Sequence, residues 1–133
     1  MKIKDKKSSS KHFHINDIPK KNFNKLRPCF SLENLIKGYC FSDCEKEEKL
    51  AFINTIFKLS QLSWEQISQL PRHGLGFEKI SRNSLKFKIP EFVTDDCDIF
   101  AFRFYGKAPM IGYRIEQIFY ILCLDRSFTA YDH

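Results

Sequence analysis

The amino-acid sequence predicts an α+β fold, in which an N-terminal helical hairpin packs on a mostly antiparallel sheet of four to five strands. Apolar residues at helical spacing, together with helix-capping signals, are confined to residues 42–70. After Gly76 the pattern changes to the alternation and short apolar runs that are typical of strands. Helices that precede a group of adjacent strands indicate two separate layers, one helical and one a sheet.

Length and charge predict the domain organisation. A chain of 133 residues is long enough for one domain with its own core, and 43% of it is hydrophobic, with 14 phenylalanines. The net charge is +6, and the first 27 residues contain nine lysines and arginines against two aspartates. We therefore predict a flexible basic arm at 1–27 and a single α+β domain at 28–133. The arm is either a solvated tail or a segment that contacts phosphate groups when nucleic acid is present.

The sequence carries no signal for export or membrane insertion. No segment reaches the roughly 20 apolar residues that span a bilayer, and the N-terminus lacks the apolar stretch of a secretory signal. The five cysteines are an odd number, and we interpret them as reduced thiols in the cytoplasm. Cys40 and Cys44 have a spacing that zinc sites use, but no second close pair completes a site. We therefore predict no metal, no cofactor and no membrane partner.

Capping boxes begin both predicted helices. The Ser42/Glu45 pair precedes the first helix, which we predict over residues 44–61. The Ser63/Gln66 pair precedes the second, which ends before Pro71 because proline cannot donate the next backbone hydrogen bond. A tight turn between them makes the two helices antiparallel. The predicted inward face of the first helix comprises Leu50, Ile53, Ile56, Phe57 and Ser60.

The strands follow in one block. Alternation over "SLKFKI" predicts a half-exposed strand that Pro90 ends, and "DIFAFRFY" predicts a strongly apolar one. Short polar breaks then separate three further segments. The predicted strands are 84–89, 98–105, 111–115, 118–124 and 128–133.

Strand register predicts a row of polar and aromatic side chains. We assume turns at Glu116–Gln117 and Arg126–Ser127 and a loop at 106–110, and directly opposed residues then share a face. The assumed register places Arg114 on the other face of the sheet, but a turn of three residues at 116–117 would bring Arg114 to the same face as the row. The row consists of Arg103, Tyr113, Tyr120 and His133, with Tyr131 beside it. The opposite face, which is expected to meet the helices, consists of Phe100, Phe102, Phe104, Phe119, Ile121, Cys123 and Phe128.

A row of such side chains is suited to binding and cleaving RNA. Bases stack on tyrosine and arginine, arginine binds phosphate in a bidentate manner, and a histidine exchanges protons near neutral pH. The alternative is an ordinary amphipathic sheet surface. Glu78, close to His73 in the chain, is a second candidate for a general base. The acidic residues within 95–98 are interpreted as part of a loop and not as a metal site.

The C-terminal half resembles the RelE/ParE superfamily of small bacterial toxins. The resemblance rests on "GYRI" at 112–115, the apolar strand "IFYILCL", the closing "AYDH", and the order of helical hairpin and sheet. It implies a metal-independent endoribonuclease that cleaves mRNA, typically on the ribosome, with an antitoxin protein as partner. It also implies that Arg114 stabilises phosphate charge and that Tyr131 or His133 is the acid or base.

Within that interpretation, Arg103 and Lys107 supply further positive charge, and Tyr113 and Tyr120 bind the substrate. The competing hypothesis is a non-catalytic module of a mobile-element or defence locus, which binds nucleic acid or protein through the arm and the tyrosine face. A structural adaptor that uses the sheet face as an interface is the third hypothesis.

Overall fold

A five-stranded mixed sheet forms the centre of the fold, in a computed structural model that describes residues 22–132. Its strands stand in the order β1-β5-β4-β3-β2, with β1 parallel to β5 and every other neighbouring pair antiparallel. The predicted class, α+β with a mostly antiparallel sheet, is therefore confirmed. The strands are β1 (Cys29–Ser31), β2 (Phe77–Ile80), β3 (Ile99–Tyr105), β4 (Ala108–Ile115) and β5 (Ile118–Leu124).

The predicted helical hairpin is wrong, because only one of the two helices is long. Helix α1 (Lys46–Ser60) has 15 residues, whereas α2 (Trp64–Ile67) is a single turn. The Ser63/Gln66 capping box forms as predicted. The helix then stops because the Ser68 hydroxyl donates to a carbonyl of its own turn, Glu65 O, at 2.7 Å, and because Pro71 lacks an amide hydrogen to continue the ladder.

The start of α1 also differs from the prediction by a few residues. Phe41–Asp43 form a separate 3-10 turn, and the capping box is made by Glu45 and Glu48 instead of Ser42 and Glu45. The Glu45 backbone amide donates to Glu48 Oε1 at 2.6 Å. The carboxylates of this first turn suit the positive end of the helix.

Helix α1 turns inward a face that shares Ile56 with the predicted one but not Leu50, Ile53 or Phe57. Its buried residues are Glu48, Phe52 and Leu59, whereas Leu50 and Phe57 are each 64% exposed and Ile53 is 54% exposed. The sequence contains two apolar stripes on opposite sides of this helix. Packing selects the stripe that also lets Glu48 reach Arg126, whose Nε donates to Glu48 Oε1 at 2.6 Å.

Residues 84–89, predicted as a strand, do not join the sheet. Arg82–Ser84 form a 3-10 turn, and Leu85 makes a single antiparallel bridge to Tyr131. The alternating apolar residues of this segment instead cover the sheet as a loop. Arg82 holds that loop in place, because its guanidinium donates to the carbonyl oxygens of Val93, Thr94 and Cys97.

One of the three assumed connections, the loop at 106–110, is placed differently by the structure. The Glu116–Gln117 turn and the pairing of Tyr113 with Tyr120 are confirmed. The β3–β4 connection has only two residues, Gly106 and Lys107, and the φ of +58° at Gly106 is one that glycine tolerates. The shorter connection moves the register, so that Arg103 lies opposite Pro109 and not opposite Tyr113.

The sheet is covered on both faces. We call the face under α1 and α2 the helix side, and the face under residues 81–98 and 125–132 the loop side. The helix-side core contains Phe52, Leu59, Trp64, Ile67, Phe102, Phe104, Met110, Phe119 and Ile121. The loop-side core contains Ile80, Val93, Ile99, Ala101, Ile111, Tyr113, Leu122, Cys123, Ala130 and Tyr131.

A β-bulge accounts for the core residues at the end of β5, Cys123 and Leu124, that lie on the face opposite to the one that strict alternation predicts. Ile111 pairs with Cys123, but the next residue, Gly112, pairs with Ile121, so Leu122 is an extra residue in β5. Cys123 therefore lies on the loop side, although strict alternation predicts the phenylalanine face. The other predicted phenylalanines of β3 and β5 do face the helices.

The predicted arm falls mostly outside the described residues, which begin at Asn22. Its last residues pack on the domain: Phe23–Lys25 form a 3-10 turn, and the Trp64 amide donates to Leu26 O at 3.0 Å. Among residues 22–132, no helix combines the length and the apolar character needed to cross a membrane.

Candidate functional site

A cleft opens beside the edge strand β2 and the β3–β4 turn. Its volume is about 180 Å³, below the roughly 300–1,000 Å³ of typical small-molecule pockets. A cleft of this size suits a single charged group, such as a phosphate, better than a whole ligand. The residues that line it are Arg72, Glu78, Ala101, Phe102, Arg103, Lys107, Pro109, Phe128 and Tyr131.

Strand geometry aims two charged side chains into this cleft. Glu78 on β2 pairs with Ala101 on β3, whose side chain belongs to the loop-side core. Glu78 therefore points to the loop side, and Arg103, two residues beyond Ala101, points the same way. Lys107 reaches the cleft from the exposed two-residue turn. Arg72 comes from the loop after α2.

Positive charge dominates the cleft. Three cationic side chains, Arg72, Arg103 and Lys107, stand against one carboxylate, which leaves an excess of two positive charges. Arg72 Nη1 donates to Glu78 Oε1 at 2.7 Å, in a pair whose side chains are 59% and 34% exposed. Arginine and lysine are the groups that proteins use to bind phosphate oxygens.

Tyr131 carries the buried polar side chain of the cleft, with an exposure of 7%. Burial raises the pKa of its phenol, and the charge of Glu78 adds to this, whereas Arg103 and Arg72 act in the opposite direction. The phenol therefore keeps its proton at neutral pH. The charges of Glu78, Arg103 and Arg72 thus all act on the pKa of the Tyr131 phenol, and all four residues line the same cleft.

The terminal segment holds Tyr131 by backbone contacts and not by the predicted strand pairing. The predicted pairing of Leu122 with Tyr131 is wrong, and Leu85 is the partner instead. The Lys86 amide donates to Ala130 O at 2.7 Å, and the Asp132 amide donates to Ser84 O at 3.1 Å. The chain crosses from β5 to the covering loop, which the sequence pattern did not reveal.

Asp125 anchors this segment at its other end. The side chain is completely buried, and its two oxygens accept from the backbone amides of Thr129 at 3.0 Å and Ala130 at 2.7 Å. The amide of Phe128 also donates to the Asp125 carbonyl at 3.2 Å, as the predicted turn at Arg126–Ser127 requires. Phe128, which lines the cleft, has a φ of +58°, a conformation that a bulky residue rarely adopts.

The predicted tyrosine pair forms but does not face solvent. The rings of Tyr113 and Tyr120 stack with their centroids 5.0 Å apart and a tilt of 12°. Tyr113 is only 3% exposed, and Asn34 Nδ2 donates to its hydroxyl at 2.9 Å. Burial raises the pKa of the Tyr113 phenol. These two tyrosines therefore form part of the loop-side core and not an open platform for bases.

Arg114 lies on the helix side, away from Tyr131. Its guanidinium stacks over the ring of Trp64, 4.3 Å from the centroid. Nε donates to Glu116 O and Nη2 to Asn24 Oδ1, each at 2.6 Å. Burial lowers the pKa of this guanidinium. The sheet thus separates Arg114 from Arg103, Lys107 and Tyr131, and His133 lies outside the described residues.

Two residues of the cleft, Arg72 and Glu78, have neighbours that the sequence patterns did not predict. No spacing in the sequence connects Arg72 with Arg103, because the cleft that both residues line forms only when β2 pairs with β3. Glu78 was a candidate base for its position near His73, and the structure gives it a different neighbour, Arg72. Among residues 22–132, no three His, Cys, Asp or Glu side chains are grouped so that they could hold a metal ion.

Comparison with known proteins gives no relative from which a role could be transferred. No family model matches the chain, and no curated protein or solved structure matches it significantly. The resemblance to the RelE/ParE superfamily therefore stays a prediction.

Proposed function

We propose that this protein binds RNA at the cleft of Arg72, Glu78, Arg103, Lys107 and Tyr131 and cleaves it there without a metal ion. The observation that carries the proposal is the convergence of three cations, a carboxylate and a protonated phenol on one small cleft. That combination matches the needs of phosphodiester transfer to a neighbouring hydroxyl. That the RNA is mRNA, and that an antitoxin covers the site, rests on the sequence resemblance alone.

Each side chain has a role in the proposed reaction. The Glu78 carboxylate removes the proton of the ribose 2′-hydroxyl, whose oxygen then attacks the adjacent phosphorus. Arg103 and Lys107 stabilise the charge that develops on the phosphate oxygens. The bond from phosphorus to the 5′-oxygen breaks, and Tyr131 donates its proton to that oxygen. The products are a 2′,3′-cyclic phosphate and a 5′-hydroxyl.

A cleavage assay on an end-labelled RNA in EDTA tests this proposal. We expect cyclic-phosphate ends from the parent protein and none from an RNA with a 2′-deoxy group at the cleaved position. Glu78→Gln and Tyr131→Phe are each expected to slow cleavage by about 10²- to 10⁴-fold, the usual contribution of a general acid or base. Glu91→Gln, an exposed carboxylate outside the cleft, is the matched control and should cleave at the parent rate.

One contact favours a second candidate, a module that binds RNA without cleaving it. The Glu78 carboxylate already accepts a hydrogen bond from Arg72 at 2.7 Å, so one of its two oxygens is engaged by a guanidinium and not by a ribose hydroxyl. This candidate predicts that the RNA stays intact while Arg103→Ala weakens its binding. The catalytic proposal is refuted if Glu78→Gln cleaves RNA at the parent rate. Both candidates are refuted if Arg103→Ala binds RNA with the same affinity as the parent.

A further inference from the structure

Helix α1 carries an apolar stripe that nothing in the described fold covers. The stripe consists of Leu50, Ile53 and Phe57, which are 64%, 54% and 64% exposed. Their spacing of three and then four residues places them along one line of the helix, which is the spacing of a coiled-coil seam. The proposed RNA cleft makes no use of this surface.

The stripe lies directly opposite the buried side of the helix. At 100° per residue, Phe57 is rotated by about 160° from Leu59, which is fully buried in the helix-side core. The exposure therefore does not arise from fraying or from an end of the helix. A continuous line of large apolar side chains on an otherwise polar helix face is typical of an interaction surface.

Charges beside the stripe indicate what covers it. Glu47 and Lys58 are eleven residues apart, which is three turns and about 20° of rotation, so both lie on the same flank of the stripe. Both are exposed, and among the described residues neither takes part in a salt bridge. One flank thus carries a negative charge near the start of the helix and a positive charge near its end.

We propose that α1 binds α1 of a second copy of this chain in an antiparallel pair. A two-fold axis between antiparallel helices brings the same flank of each helix together. Glu47 then lies level with Lys58 of the second copy, and the symmetry makes this ion pair twice. The opposite signs at the two ends of one flank are what an antiparallel self-pairing requires.

The register set by these ion pairs also interleaves the apolar side chains. With a rise of 1.5 Å per residue, Leu50 falls between Phe57 and Ile53 of the second copy, with steps of about 3 Å or less along the axis. The same register places Lys49 level with Ile56 of the second copy and not with another lysine. Charge and shape therefore select one arrangement.

The small size of the contact predicts a weak dimer. A pair of 15-residue helices buries less than the roughly 1,200 Å² of stable interfaces. We therefore expect monomers and dimers to exchange, with a dissociation constant on the order of micromolar or weaker. Such a dimer leaves both clefts accessible, because α1 lies on the opposite face of the sheet.

Sedimentation velocity of the full chain over a range of concentrations tests this proposal. We expect a concentration-dependent dimer, which Phe57→Glu weakens at least about tenfold by burying a charge in the stripe. Phe92→Glu is the matched control, since Phe92 is 62% exposed but lies on the loop side, and it should leave the dimer unchanged. Thermal melting of each variant verifies that it is folded.

A charge exchange tests the register. Glu47→Lys and Lys58→Glu are each expected to weaken the dimer by about three- to tenfold, as exposed ion pairs do when one charge is reversed. The double variant, with both charges reversed, should return to the parent affinity. The proposal is overturned if the parent stays monomeric up to about 0.5 mM, if Phe57→Glu dimerises like the parent, or if the double variant is as weak as the single ones.

Discussion

Replacement of Asp125 tests how the terminal segment is held over the cleft. Its carboxylate is fully buried and accepts from the amides of Thr129 and Ala130. In Asp125→Ala, the Ala130 amide is left without a partner in a buried position, which costs about 1–3 kcal/mol. The Thr129 amide is on an exposed residue and reaches water, so its loss is about 1 kcal/mol.

The two contributions predict a loss of about 2–4 kcal/mol in the free energy of unfolding for Asp125→Ala. Asp125→Asn keeps one acceptor oxygen and should lose about 1–2 kcal/mol. These are large fractions of the roughly 5–15 kcal/mol that stabilise a domain. Urea denaturation followed by tryptophan fluorescence measures both values, because the single tryptophan, Trp64, is buried.

The matched control for this series is Asp132→Asn in the same segment. Asp132 pairs with Lys86 at 3.4 Å, but both side chains are more than half exposed, so the loss should stay below about 0.5 kcal/mol. The reasoning is refuted if Asp125→Ala unfolds at the parent urea concentration. Equal losses for the alanine and asparagine variants would likewise contradict the assignment of two separate hydrogen bonds.

Two further predictions concern other parts of the fold. A Cβ at Gly112 would lie 2.1 Å from the carbonyl oxygen of Tyr120 on the neighbouring strand, so Gly112→Ala should destabilise the protein by more than about 2 kcal/mol or prevent folding. Gly74→Ala, whose Cβ would make only ordinary contacts, should melt close to the parent temperature. Hydrogen bonding by the Glu45 amide, and after it by Arg126, lowers the pKa of the Glu48 carboxyl. The Glu48 carboxylate therefore stabilises the fold above the usual glutamate pKa of about 4.3. This stabilisation is lost as the pH falls through the lower pKa that Glu48 has in the folded state. The difference in melting temperature between the parent and Glu48→Gln should shrink between pH 5 and pH 3, and a constant difference would contradict this.

Local patterns predicted much of the sheet. The strands at 98–105 and 118–124 and the turn at Glu116–Gln117 agree with the structure within a residue or two, because alternation and turn residues act over short distances. The pairing of Tyr113 with Tyr120 follows from that turn. The sequence also predicted the capping box at Ser63, but it did not predict that the helix beginning there has only four residues.

Features that depend on distant contacts were not predictable. The sequence contains two apolar stripes on α1 and does not show which one is buried. In the structure Phe52 and Leu59 pack in the helix-side core, and the same orientation brings Glu48 to Arg126. The alternating residues at 84–89 cover the sheet instead of pairing in it, and the chain end pairs with Leu85. Arg103, Lys107 and Tyr131 line one cleft although the predicted register is wrong, whereas Arg114 lies on the opposite face of the sheet.

The salt dependence of RNA binding tests whether the cleft holds the phosphate backbone. Each phosphate contact of a single strand contributes about 0.7 to the slope of log affinity against log salt concentration. For Arg103→Ala with Lys107→Ala we therefore predict a slope that is shallower by about 1.4. Lys79→Ala, on the opposite face of β2 and 66% exposed, should keep the parent slope. An unchanged slope in the double variant, or an equal change in the Lys79 variant, would contradict the proposed site.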